Sequence, residues 1–140
     1  MKLRNQIVAG LLALSGSSLA LADARVTVAH FAPFADTLAG TSVSVVITGA
    51  ADATLDNVEF KTFTDYLDLP AGDYTINIIP TGTEAVAITG DFSLEDNVDY
   101  TVYARGNASL QDLELTALVD DNTAPAAGNI KIRVVHAAPF

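Results

Sequence analysis

Residues 25–34 read Arg-Val-Thr-Val-Ala-His-Phe-Ala-Pro-Phe, and residues 131–140 read Lys-Ile-Arg-Val-Val-His-Ala-Ala-Pro-Phe. Val28, His30, Ala32, Pro33 and Phe34 return as Val134, His136, Ala138, Pro139 and Phe140. Arg25, Val26 and Ala29 return in kind as Lys131, Ile132 and Val135, and the spacing is 106 residues throughout. Self-similarity at one fixed period marks a tandem array, and this period is about the length of one immunoglobulin-like sandwich. The expected plan is therefore one full all-β domain over residues 23–119, a linker over 120–129, and the first strand of a truncated second repeat over 130–140. The stretch Asp120-Asp121-Asn122-Thr123-Ala124-Pro125-Ala126-Ala127-Gly128 has the acids, proline and small residues of a linker. A strand cannot bury a face alone. Either the chain continues in nature or the last strand pairs with the first domain, and a truncated reading frame is the expectation.

The rest of the chain reads as strands. Val43, Val45 and Ile47 alternate with Ser44, Val46 and Thr48; Tyr74, Ile76 and Ile78 alternate with Thr75, Asn77 and Ile79. Val98, Tyr100, Val102 and Ala104 form a third such row, and Leu113, Leu115, Ala117 and Val119 a fourth. Period-two patterning with one apolar face predicts half-buried antiparallel strands. Weaker strands are expected over Val58–Phe63, Tyr66–Leu69 and Ala87–Leu94. With Arg25–His30 that makes about eight short strands, and no sustained helical period competes with them, so two packed sheets follow. Leu69-Pro70-Ala71-Gly72 predicts a type I turn, with proline second and glycine fourth. Pro80-Thr81-Gly82-Thr83 predicts another reversal.

The amino end reads as a signal peptide over residues 1–22. Lys2 and Arg4 precede the uncharged apolar stretch 7–14, and Ala20-Leu21-Ala22 supplies a cut site. Gly10 and the Ser15–Ser18 region make the segment a poor membrane anchor, so no span is expected after cleavage. Cleavage would remove two cations and no acid, taking the net charge from −10 to −12. Such a surface repels nucleic acid and anionic lipid. The chain has no cysteine, which excludes a thiol nucleophile, a lipid anchor on cysteine and a thiolate metal site. The expected location is periplasmic or extracellular.

Three segments carry a family resemblance. They are Val26 to Pro33, the run Phe63-Thr-Asp-Tyr66-Leu-Asp-Leu69-Pro-Ala-Gly72-Asp-Tyr74, and the run from Asp120 to Gly128. Together they resemble the DUF4397 family, bacterial exported domains of unknown function that often occur in tandem, and the resemblance covers about residues 25–140. Leu-Pro-Ala-Gly-x-Tyr also occurs in transthyretin-like and collagen-adhesin repeat sandwiches. The resemblance implies an immunoglobulin-like or transthyretin-like antiparallel β-sandwich of about seven to eight strands. His30, Pro33, Tyr66, Pro70, Gly72, Tyr74, His136 and Pro139 are its structural motif residues. Family members often place an acid after the first proline, where this chain has Phe34 and Phe140. No catalytic residue transfers.

Each candidate for chemistry meets a plainer account. Strand alternation puts His30 on the face of Val26 and Val28, where a backbone carbonyl is its ordinary partner; His136 shares its face with Ile132 and Val134. One histidine per repeat without cysteine is a poor start for zinc. Asp99, Asp120 and Asp121 are the calcium candidates, because calcium takes about six to eight oxygens and loops at a domain junction could supply some of them. Neither acid cluster has the spacing of an EF-hand loop, and solvated turns explain both. Tyr103 is expected to face outward and Phe60 and Phe63 to pack a second face, which leaves stacking on a glycan as the alternative. Phe31 and Phe34 are expected to cover the sandwich end or meet a following domain. Asn107-Ala108-Ser109 fits a glycosylation sequon. No Gly-x-Ser-x-Gly elbow or phosphate-cradling glycine loop is present, and the serines beyond the leader have only His30 and His136 as bases. The expectation is a non-catalytic module with no cofactor and an envelope protein or glycan as partner. The alternatives are a glycan- or calcium-binding module and an accessory domain of a larger exported protein.

Overall fold

β-branched residues on alternate positions make the central strands, because they pack well on a pleated surface and lose little freedom there. The computed structural model describes residues 23–35 and 39–139; the expected leader and Phe140 lie outside them. Eight strands form: β1 Asp23–His30, β2 Val43–Gly49, β3 Ala53–Val58, β4 Leu67–Pro70, β5 Gly72–Pro80, β6 Ile88–Leu94, β7 Asp99–Arg105 and β8 Glu114–Asp120. They build two four-stranded sheets, ordered β4-β1-β7-β8 and β3-β2-β5-β6. The rows Val26, Val28 and His30 from β1 and Tyr100, Val102 and Ala104 from β7 are buried against Val43, Val45 and Ile47 from β2 and Tyr74, Ile76 and Ile78 from β5. This is a β-sandwich with one apolar core between the layers.

Most pairings are antiparallel, but β1 runs parallel to β7, with Val26 opposite Tyr100 and His30 opposite Ala104. β1 therefore fills the middle of its sheet, antiparallel to β4 on its other side. Leu69-Pro70-Ala71-Gly72 corrects the expected turn. β4 ends on Pro70 in one sheet and β5 starts on Gly72 in the other, so this is a corner between layers. Gly72 takes φ +152°, and a Cβ there would stand 3.0 Å from the Ala50 Cβ. The Tyr74 hydroxyl donates to the Pro70 carbonyl at 2.8 Å and ties the corner shut, a bond of the tyrosine-corner kind.

Other differences have local causes. The expected strand over 58–63 is displaced: β3 occupies Ala53–Val58, and positive φ at Asn57 and Lys61 bends the chain out of the sheet. Leu113 and Leu115 pack on the core, but Ala117 and Val119 are exposed because β8 is an edge strand. Tyr103 points away from the core as expected, yet it is buried, with the Phe31 ring centroid 6.0 Å away. Residues 129–139 carry no strand pairing. They lie along the outer face of the first sheet.

Candidate functional site

β7 and β8 pair so that Asp99 stands opposite Asp120, and β1 pairs so that Arg25 stands opposite Asp99. Strand register alone thus places two carboxylates and a guanidinium on one rim of the first sheet. Arg25 donates from Nε to Asp99 Oδ1 at 2.7 Å and from Nη2 to Oδ2 at 2.5 Å. The Asn122 amide donates to Asp99 Oδ2 at 2.6 Å and to the Tyr66 hydroxyl at 3.2 Å. That hydroxyl and Thr101 Oγ1 each donate to Asp120 Oδ2 at 2.8 Å. The Arg25 guanidinium also lies 5.1 Å from the Tyr66 ring centroid. Tyr66 therefore joins the network at both its face and its hydroxyl.

The residues after Gly128 complete the rim. Lys131 Nζ bridges Asp121 at 2.6 Å and donates to the Thr123 carbonyl at 2.8 Å, while Arg133 pairs with Asp120 and donates to the Val119 carbonyl. A cleft of about 600 Å³ lies among Tyr66, Thr101, Asp120, Asn122, Lys131 and Arg133. Three of the five cations beyond residue 22 gather here, in a chain with 17 acids. Arg25, with help from Asn122, holds the Asp99 carboxyl below its usual range. Lys131 and Thr123 draw Asp121 down to about 2. Burial is the first cause that pushes the Tyr66 hydroxyl up.

The calcium candidates thus fall into one neighbourhood, but each is already matched to a cation of this chain. Among the described residues, no three His, Cys, Asp or Glu side chains are grouped to hold a metal ion. A bound cation there would have to displace Arg25, Lys131 or Arg133. The histidines part company. His30 is buried, and its Nε2 lies 2.5 Å from the Thr41 carbonyl, which only accepts, so Nε2 carries the proton. Burial lowers its pKa. Phe34 and Phe60 close over it at centroid distances of 5.8 and 5.9 Å. His136 is exposed.

Further along the same face the surface turns apolar. Phe31 meets Phe63 edge-on at 5.3 Å, and Phe63 is 61% exposed. Val135 lines a cavity of about 300 Å³ together with Phe31, Phe63, Tyr103 and Leu118. Pro33, Phe60, Ala137 and Pro139 continue the groove. Period-two reading found the carboxylates and aromatics but not their partners. Arg25 and Lys131 hold the same place in the repeated motif, and that place was the available signal for an acidic counterpart.

Among the described residues no helix is long and apolar enough to cross a membrane. No curated protein matches the chain. The family model for DUF4397, a domain of unknown function, matches residues 24–140 and runs without a break from the first copy of the motif into the second. This chain, a two-layer β-sandwich over most of that span, belongs to the DUF4397 family.

Proposed function

We propose that this is a non-catalytic, exported β-sandwich module that serves as a structural and protein-contact unit at the cell envelope. The observation that carries the reading is the outer layer of the first sheet. There Ile130, Ile132 and Val134 are exposed at alternate positions, and Phe63 is exposed as well. A row of large apolar side chains exposed along one segment is the kind of surface that marks an interaction site. The basic, uncharged-core and small-residue order of residues 1–22 supports export. The buried histidine is engaged with a backbone carbonyl, and the carboxylates with lowered pKa are engaged with cations, so the perturbed groups have structural explanations.

The test is a photo-crosslinking residue at Ile132 in the exported protein, with the exposed loop residue Glu84 as control. Discrete protein adducts from position 132 and none from 84 are expected. The calcium reading has Asp99 and Asp120 meeting at Tyr66 and Asn122 behind it, and it requires calcium to displace the cations that now pair with them. A melting shift of many degrees with calcium or an envelope polysaccharide, and no adducts, would replace the contact role with a ligand-binding one.

A further inference from the structure

The two copies of the repeated motif are not placed at random with respect to each other. Lys131 and Arg133 are anchored at the rim where β1 begins, beside Asp120 and Asp121. Val135 lines the same cavity as Tyr103, which is the register partner of Ala29. Ala137 and Pro139 line one groove with Phe31 and Pro33, just past the end of β1. The second copy thus runs outside the first in the same direction and at about the same level. Lys131 and Arg133 make ion pairs with the protein, Ala137 and Pro139 are half-buried, and the even-numbered apolar residues are exposed. Ile132 is 75% exposed and Val134 is 88% exposed.

Those outward residues are the counterparts of the core row. Val26, Val28, His30 and Ala32, all buried, correspond to Ile132, Val134, His136 and Ala138. The inward chemistry differs by one methylene group. Lys131 offers Asp99 a cation where Arg25 now does. We propose that Lys131–Pro139 is a second β1 for this same sandwich, able to replace Arg25–Pro33 between β4 and β7. Reach is sufficient. Asp120 stands opposite Asp99 and Asp99 opposite Arg25, so the slot begins two strand spacings, about 10 Å, from the end of β8. Ten intervening residues span up to about 33 Å.

The outward row decides which copy holds the slot. Thr27 donates to the Thr64 carbonyl at 2.7 Å, and Arg133 in its place loses that bond. Ala29 is fully buried between its pairing partners Tyr103 and Phe63, and Val135 in its place would crowd them. Phe31, with its contacts to Phe63 and Tyr103, would become Ala137. The first copy wins on three outward positions while the inward row is nearly indifferent.

The test is epistasis in the full chain, read by thermal melting, sedimentation and amide exchange. Val28→Asp should leave a cooperative melt at a lower midpoint, with the protein monomeric and amides at 132–136 newly protected. Val134→Asp alone should leave the midpoint unchanged within error. Val28→Asp with Val134→Asp should abolish the cooperative transition. Loss of folding in Val28→Asp alone, or equal midpoints for the single and double variants, overturns the proposal. A Val28→Asp protein that folds only as an oligomer overturns it too, because the strand then comes from another molecule.

Discussion

Two stretches of this chain with nearly the same sequence live in opposite surroundings. In β1, Val28 is 1% exposed; 106 residues later, Val134 is 88% exposed. Alternation, β-branching and charge are alike in both, so local preference does not separate them. Neighbours do. β1 has β4 and β7 on its two edges and the β2–β5 row across the core, whereas residues 131–139 have the back of a sheet already complete. A strand-forming sequence is a request for partners, and a hydrogen-bonding partner on at least one edge is what makes it a strand.

The largest test of this contrast is truncation at matched positions. Val28→Ala should cost about 2 kcal/mol by lost burial and a residual cavity, and Val134→Ala should stay within about 0.5 kcal/mol. Urea midpoints of the two variants would measure the gap, and equal losses would contradict the described placement. So mild a truncation leaves the first copy the better occupant of its slot.

Next in size is a pH effect confined to the first copy. Burial holds the His30 imidazole below its ordinary value, so the folded protein resists a proton that the unfolded chain accepts. Stability from this source is full above the unfolded value of about 6.5 and declines as pH falls through the folded value. Urea midpoints taken between pH 7.5 and 5 should show the decline, and His30→Gln should remove it.

The second copy is held by charge, which makes a smaller, local signal. The Asp121 carboxyl sits at about 2, below its ordinary value of 3.8, so the grip of Lys131 is present above the ordinary range and is lost as pH falls through about 2. Lys131→Ala should move the Asp121 titration upward, followed by its side-chain carbonyl NMR shift. The return should be partial, because Thr123 also donates to that carboxylate. The smallest effect is ionic. Raising salt from about 0.1 to about 1 M shortens the Debye length from about 10 to about 3 Å. Amide chemical shifts over 131–135 should move modestly while those of β1 stay unchanged.

Where one face of a segment is buried and the other wet, the sequence spoke clearly. Val43, Val45 and Ile47 and the row Tyr74, Ile76 and Ile78 took the inward places their alternation predicts. Reading failed where a third layer intrudes. Tyr103 alternates outward, but the Phe31 ring packs against it and it is buried, and no pattern within β7 reports a cover supplied from elsewhere. β3 was missed in part because Ala53-Thr54-Leu55-Asp56-Asn57 is poor in strand formers, and an edge position tolerates that. At the rim, Asp99, Asp120 and Tyr66 were legible as acids and motif residues. Asp99 and Asp120 meet through the β7–β8 pairing, but Arg25 and Tyr66 come to them through the parallel pairing of β1 with β7, a long-range fact that no local window contains.

That parallel pairing also sets a timetable. β1 is the earliest strand synthesised, yet Arg25 meets its partner Asp99 across 74 residues of chain. Its other neighbour, β4, is made in between. Until residue 105 has emerged, the central position of the first sheet has only one side to bond to, and the apolar row of β1 waits without its cover. Closure of so distant a pair carries a loop entropy that local contacts do not offset, so such topologies fold late and slowly. A ribosome-bound chain of this protein therefore holds its opening strand in reserve, and the sandwich locks only when its next-to-last strand arrives.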